Sequence, residues 1–88
     1  MNLQARAAVI ERLLDELGQP EVTAVTLYPE NENEYPGAPA STVLQLREPP
    51  PDLKGDEREH GNGTNWSVDI VREELRIRVV CWTPKVAA

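Results

Sequence analysis

The sequence predicts an α+β domain in which an N-terminal helix packs on a four-stranded antiparallel sheet. Three observations support this prediction: a helical apolar repeat near the N-terminus, two strand-like segments in the middle of the chain, and two alternating segments near its end. A chain of 88 residues is too short for two independent cores, so residues 1–88 are expected to form one domain. The hydrophobic fraction of 40% is typical of a globular chain.

Apolar residues at alternating spacings of four and three predict an amphipathic helix over residues 3–17. Asn2 is a suitable N-cap, because its side chain can accept a hydrogen bond from the first helical turn. Gly18 suits the left-handed position after the last turn, and Pro20 prevents the helix from resuming. The apolar stripe consists of Leu3, Ala7, Ile10, Leu14 and Leu17, widened by Val9 and Leu13.

Two strands are predicted next, over residues 21–28 and 41–47. The first is rich in β-branched residues and ends at Pro29, and the second alternates, with Leu44 and Leu46 on the side of Thr42. Flexible loops are predicted over 29–40 and 49–64, because these stretches combine prolines, glycines and charges and contain no apolar face. They should separate the strands without adding to the sheet.

The last two strands are predicted to form a hairpin that turns at Glu73-Glu74. Trp66, Val68 and Ile70 alternate with polar residues in the first strand, and in the second strand Leu75, Ile77, Val79 and Cys81 alternate with Arg76, Arg78, Val80 and Trp82. Glu-Glu is an unfavourable pair for such a turn, so a helical turn between Val68 and Arg78 is the alternative. In the hairpin, Ile77, Val79 and Cys81 face the core.

Cysteine and charge usage predict a cytoplasmic protein with no membrane span. Cys81 is the single cysteine, so no internal disulfide can form, and small domains of oxidising compartments usually carry several. Charged residues interrupt the apolar positions of residues 1–18, which therefore lack a leader or membrane segment. The formal net charge of −6 disfavours direct binding to nucleic acid, because phosphate backbones repel it.

No catalytic or metal-binding arrangement is evident, so the sequence predicts a protein that is not an enzyme and needs no cofactor. His60 is the single histidine, and the parity of Cys81 predicts that its thiol is buried. The cluster Asp56, Glu57, Glu59 and His60 does not have the spacing of a calcium or zinc site, and we interpret it as a solvated acidic segment. No residue pattern resembles a particular family.

The predicted function is therefore that of a small acidic protein-binding domain of the inhibitor or regulator type. Phages and mobile elements encode small acidic proteins of this character. Interfaces are enriched in aromatic residues and arginine, and the outward side of the last strand offers both. A protein is the expected partner, and a second copy of the chain is an alternative. The candidate binding residues are Arg76, Arg78, Val80 and Trp82 on the sheet, with Glu30, Glu32, Glu34 and Tyr35 in the first loop.

Two other function classes fit the same residues. The acids Glu30, Glu32 and Glu34, together with those near His60, could imitate a nucleic acid and block a nucleic-acid-binding protein, in which case binding should weaken steeply with salt. Alternatively, His60 with Glu57 or Glu59 could furnish a small ligand-binding or catalytic pocket.

Overall fold

A computed structural model of the protein describes residues 1–29 and 40–85. One helix packs against one face of a five-stranded sheet whose strand order is β1-β2-β5-β4-β3. Of the loop predicted over 29–40, only Pro29 and Ala40 belong to the described residues. The elements are α1 (Leu3–Glu16), β1 (Val22–Leu27), β2 (Thr42–Leu46), β3 (Asp56–His60), β4 (Gly63–Arg72) and β5 (Leu75–Pro84).

Helix α1 begins at the predicted Leu3 and ends at Glu16, one residue before the predicted end. The predicted apolar stripe is wrong at its N-terminal end, where Leu3 and Ala7 are exposed because the helix contacts the core only from its second turn onward. The side chain of Asn2 accepts a hydrogen bond from the backbone N–H of Ala5 at 2.8 Å, which satisfies one free donor of the first turn. Gly18 has a φ of +83°, and its N–H bonds the carbonyl of Asp15 while the N–H of Gln19 bonds that of Leu14. This pair of bonds is a Schellman motif, which ends the helix while pairing the carbonyls of Leu14 and Asp15.

The core lies between α1 and the face of the sheet that we call the inner face. The predicted inward parity of Trp66, Ile70, Ile77, Val79 and Cys81 is confirmed, since all five are buried. Predicted β2 residues of the same side are buried as well, and Val68 packs against the cluster while remaining partly exposed. The buried apolar residues of this core are Val9, Ile10, Leu13, Leu44, Leu46, Trp66, Ile70, Leu75, Ile77, Val79 and Cys81.

The sheet has a fifth strand, so the prediction of four strands is wrong, and so is the loop prediction over the part of 49–64 that β3 occupies. Strand β3 contains no apolar residue, and all five of its side chains are exposed. It forms because the chain reverses at Gly61-Asn62 and pairs antiparallel with β4, from Asp56 opposite Ser67 to His60 opposite Gly63. An edge strand needs backbone pairing on one side only and can do without an apolar face, so hydrophobic alternation did not reveal it.

The sheet is also mixed, whereas the sequence predicts a wholly antiparallel one. Strand β5 lies between β4, with which it forms the predicted hairpin, and β2, to which it runs parallel with Thr42 opposite Ile77. Leu75, Ile77, Val79 and Cys81 have exposures of 1% or less, and such an apolar strand is best buried at the centre of a sheet. Strands that follow each other along the chain usually pair, but here β2 pairs with β5 although β3 and β4 lie between them in the sequence.

The hairpin at Glu73-Glu74 is confirmed, and the helical alternative for Val68 to Arg78 is wrong. Glu73 and Glu74 have φ values of 51° and 69°, and positive φ at both central residues is what a two-residue type I′ turn requires. The turn is attached to the helix by two exposed ion pairs. Arg12 Nε lies 2.8 Å from Glu73 Oε2, and Arg72 Nε lies 3.0 Å from Glu16 Oε2.

Candidate binding surface on the outer sheet face

The candidate site is the sheet face opposite α1, which we call the outer face. Alternate residues of the five strands point to it, and the pairing register arranges them in rows across the sheet. Within the described residues, no helix lies on this face. Three of these rows consist of Arg58, Asn65 and Trp82; of Asp56, Ser67, Val80 and Gln45; and of Asp69, Arg78 and Val43.

Four predicted site residues occupy this face together. Arg76, Arg78, Val80 and Trp82 lie on the side of β5 opposite the buried residues, with Arg78 exposed and the other three half-buried. The remaining four predicted site residues lie outside the described residues: Glu30, Glu32, Glu34 and Tyr35.

Asp69 and Arg78 form a bidentate ion pair on the outer face. They are directly opposite each other on β4 and β5, with Arg78 Nε donating to Asp69 Oδ1 at 2.8 Å and Nη2 donating to Oδ2 at 3.2 Å. The hydrogen bonds from Arg78 hold the pKa of the Asp69 carboxyl below its ordinary value of 3.8, although partial burial opposes them. The same bonds raise the pKa of Arg78. The face therefore already holds one carboxylate in a guanidinium fork.

Trp82 lies over a glycine and beside a histidine. A Cβ atom at Gly63 would lie 2.6 Å from Trp82 Cζ2, so the indole ring fits because residue 63 has no side chain. The ring of His60 lies beyond it, with the two ring centroids 5.9 Å apart and the planes tilted by 42°. Aromatic cover of a strand glycine stabilises sheet register, and Trp82 remains half-buried opposite Asn65.

A shallow groove of about 600 Å³ runs beside the ion pair. Its charged lining residues are Lys54, Asp56, Arg58, Asp69 and Arg78, and Asn65 and Ser67 add polar groups between them. With Arg76 included, four cations face two carboxylates, which gives this surface a net charge of +2 on a chain whose total is −6. The molecule is thus electrostatically polarised, with its excess positive charge on the outer face.

The groups considered for catalysis are not brought together. His60 has the parity of the outer face, whereas Glu57 is opposite the buried Trp66 and therefore shares the inner side with Glu59. Cys81 is buried on the inner face, and its thiol donates to the carbonyl of Leu46 at 3.2 Å. Burial, and then the charge of Glu48, raise the pKa of this thiol, which keeps it protonated.

Searches for related proteins, metal sites and membrane spans add no further assignment. No family model, no curated protein and no solved structure matches the chain. Among residues 1–29 and 40–85, no group of three or more His, Cys, Asp or Glu side chains could hold a metal ion. In the same part of the chain, no helix has the length and apolar character needed to cross a membrane.

Sequence reasoning missed three charged residues of this surface. Lys54 and Arg58 were assigned to a loop, and they join the site because β3 pairs with β4 and places Arg58 in the row of Trp82. In the sequence, Asp69 is one of the polar residues that alternate with Trp66, Val68 and Ile70, and its ion pair was not predicted. The hairpin prediction at Glu73-Glu74 contained the needed signal, because a two-residue turn places Asp69 directly opposite Arg78.

Proposed function

We propose that the protein is a non-enzymatic protein-binding domain of the inhibitor or regulator type, whose outer face docks a segment of a partner protein that carries carboxylates. The observation that supports this most strongly is the bidentate Asp69–Arg78 pair in a surface of net positive charge. A guanidinium fork matches the geometry of a carboxylate, so a partner carboxylate can be held as Asp69 is held.

The composition of the surface supports a protein partner. Arginine and tryptophan are the residue types that most often anchor interfaces, and Arg76, Arg78 and Trp82 lie within one strand. The indole of Trp82 packs over Gly63 and beside the ring of His60, and such contacts reduce the conformational freedom that the side chain loses on binding. Two acids among four cations leave too little positive charge for a duplex backbone, while the rest of the chain repels phosphates.

The two tryptophans allow the proposal to be tested by NMR with a built-in reference. Trp82 lies on the outer face and Trp66 is buried on the inner face, so their indole N–H signals report the two sides separately. The ¹⁵N-labelled protein would be titrated with a short peptide of alternating glutamate and alanine. The matched controls are the same peptide with lysine for glutamate, and a short oligothymidylate.

The glutamate peptide should shift the signals of the Trp82 indole and of Arg78 Nε, while that of Trp66 stays in place. The lysine peptide should leave all three unchanged, because the outer face is positive. A stronger response to oligothymidylate would replace the proposal with nucleic-acid binding. Shifts confined to other surfaces, or equal shifts with both peptides, would overturn it.

A further inference from the structure

The two edges of the sheet differ in charge. Strand β3 at one edge consists of Asp56, Glu57, Arg58, Glu59 and His60, and such charges prevent an edge from pairing with other strands. Strand β1 at the other edge, Val22–Leu27, contains no charged residue and no proline. Its one irregularity lies between Val22 and Ala24, so the stretch from Ala24 to Leu27 is in regular register with β2. Among residues 1–29 and 40–85, no strand pairs with the other side of this stretch, which there forms a free edge of the sheet.

The exposed apolar side chains are concentrated at the same corner of the molecule. Val25, Leu27 and the adjoining Tyr28 are 48%, 36% and 53% exposed. Met1 and Leu3 are exposed at the start of α1, close to the end of β1, since Arg6 Nη1 donates to the carbonyl of Tyr28 at 2.9 Å. Val71 is the one other large apolar residue of the described chain that is exposed. Clustered exposed apolar residues beside a free strand edge are typical of an interaction surface.

We propose that the protein forms a two-fold symmetric dimer in which β1 pairs antiparallel with β1 of a second copy, centred on Val25. The pairing would join two five-stranded sheets into one of ten strands. Residues of the same face must be opposite each other in a continuous sheet, and a centre at Val25 meets this condition. The proposal does not depend on the proposed function, because β1 and the candidate groove lie on different parts of the sheet.

A second copy fits this edge because β1 carries no charge that would face a like charge on the same strand of its copy. With Val25 at the centre, the nearest described acid, Glu21, lies four residues away in each copy, so the two carboxylates are separated by eight residues or roughly 26 Å along the strands. This exceeds the screening length of about 8 Å at physiological salt. Pairing β3 with β3 would instead place Glu57 opposite Glu59 of the other copy, and pairing β1 with β3 would give an open filament.

The closest matched variants are Val25→Lys and Val71→Lys. Both variants replace an exposed valine of an edge or hairpin strand, with exposed fractions of 48% for Val25 and 59% for Val71. Only Val25 lies in β1, whereas Val71 lies in β4. Sedimentation equilibrium of the wild-type chain should show a monomer–dimer equilibrium that strengthens between about 50 and 500 mM salt, because two chains of charge −6 repel each other. Val25→Lys should raise the dissociation constant by about tenfold or more, since like charges would be directly opposite. Val71→Lys should leave it within about twofold.

A charge-swap experiment separates repulsion between the two copies from an effect of Val25→Lys on the fold of the monomer. Mixing the Val25→Lys and Val25→Glu variants should restore dimers, because unlike charges would then be opposite each other at the centre of the pair. A wild-type chain that stays monomeric at millimolar concentration in high salt would overturn the proposal. So would a dimer that Val25→Lys leaves intact, or assembly beyond the dimer.

Discussion

The guanidinium of Arg6 donates to the carbonyl of Ser41 at 2.6 Å, and this bond connects α1 to the start of β2. The same side chain donates to the hydroxyl of Thr42 at 2.8 Å and to the carbonyl of Tyr28 at 2.9 Å, although Arg6 is 7% exposed. Tyr28 and Ser41 also pair through their backbones. Arg6 thus connects the helix by hydrogen bonds to the end of β1 and the start of β2, where these two strands pair.

Replacing Arg6 by Met should lower the free energy of unfolding by about 3 kcal/mol, because the buried Thr42 hydroxyl loses its guanidinium donor and the Ser41 carbonyl keeps only the Tyr28 N–H. Arg6→Lys should recover only part of this loss, since one ammonium cannot reproduce the planar fork. Arg12→Met is the matched control, because it removes an exposed ion pair to Glu73 and should cost about 0.2–1 kcal/mol. Urea denaturation measures all three. Equal losses at positions 6 and 12 would contradict the assigned role.

Ile77 tests the assignment of the inner face. It lies in the central strand β5 with an exposure of 0%, so Ile77→Ala should cost about 2–5 kcal/mol in chemical denaturation. Val71→Ala, at an exposed apolar position of β4, should change stability by less than about 0.5 kcal/mol. A loss below half a kilocalorie for Ile77→Ala would mean that the wrong side of the sheet has been placed inward.

Glu74 provides a stabilising substitution. Its φ of 69° lies in the left-handed region that glycine adopts without steric cost, so Glu74→Gly should raise the free energy of unfolding by about 1 kcal/mol. Glu59→Gly is the control, because Glu59 is an exposed strand residue without positive φ, and a glycine there should cost about 0.5–1 kcal/mol. Thermal unfolding of the two variants should give shifts of opposite sign. A lower melting temperature for Glu74→Gly would argue against the type I′ turn.

Cys81 should be chemically inert in the folded protein. Its thiol is buried and its pKa is raised, so a disulfide reagent should modify it at least roughly 100-fold more slowly than in denaturant, at a rate set by unfolding. The unfolded thiol ionises near its ordinary pKa of 9.0, whereas the folded thiol does so only above that value. The contribution of Cys81 to stability is therefore complete below pH 9.0 and is lost as the pH rises through the folded value. Cys81→Ser should abolish the labelling, and rapid labelling of the native protein would show that the thiol is accessible.

Where side-chain pattern determines structure, the sequence predicted the individual elements and the sides that they bury. The apolar stripe, Asn2 and Gly18 defined α1, and the alternation around Ile77 and Val79 defined both the inner and the outer side of β5. The same alternation correctly predicted that Arg78 and Trp82 lie on the outer face. These features are local, or repeat with a fixed period, and can therefore be read without knowing the rest of the chain.

Features that depend on backbone pairing between distant segments could not be predicted. Strand β3 has no apolar residue, and its identity depends on the partner that β4 provides. The parallel pairing of β5 with β2 depends on which strands lie at the centre of the sheet. That choice is made by all the strands together and cannot be inferred from the sequence of one strand. The role of Arg6 was missed for a related reason: its acceptors at Tyr28 and Ser41 are 22 and 35 residues away along the chain.

The central claim is that the outer face binds carboxylates through Arg78, in competition with Asp69. The most direct test is the affinity of the alternating glutamate–alanine peptide for three variants, measured by NMR titration at low salt. Arg78→Gln should weaken binding by about fivefold or more, and Asp69→Asn should strengthen it by a similar factor, because it releases the guanidinium. Arg12→Gln, which removes the same charge from another ion pair, should change the affinity by less than about twofold. If Arg78→Gln and Arg12→Gln weaken binding equally, or if Asp69→Asn weakens it, the outer face is not the docking surface.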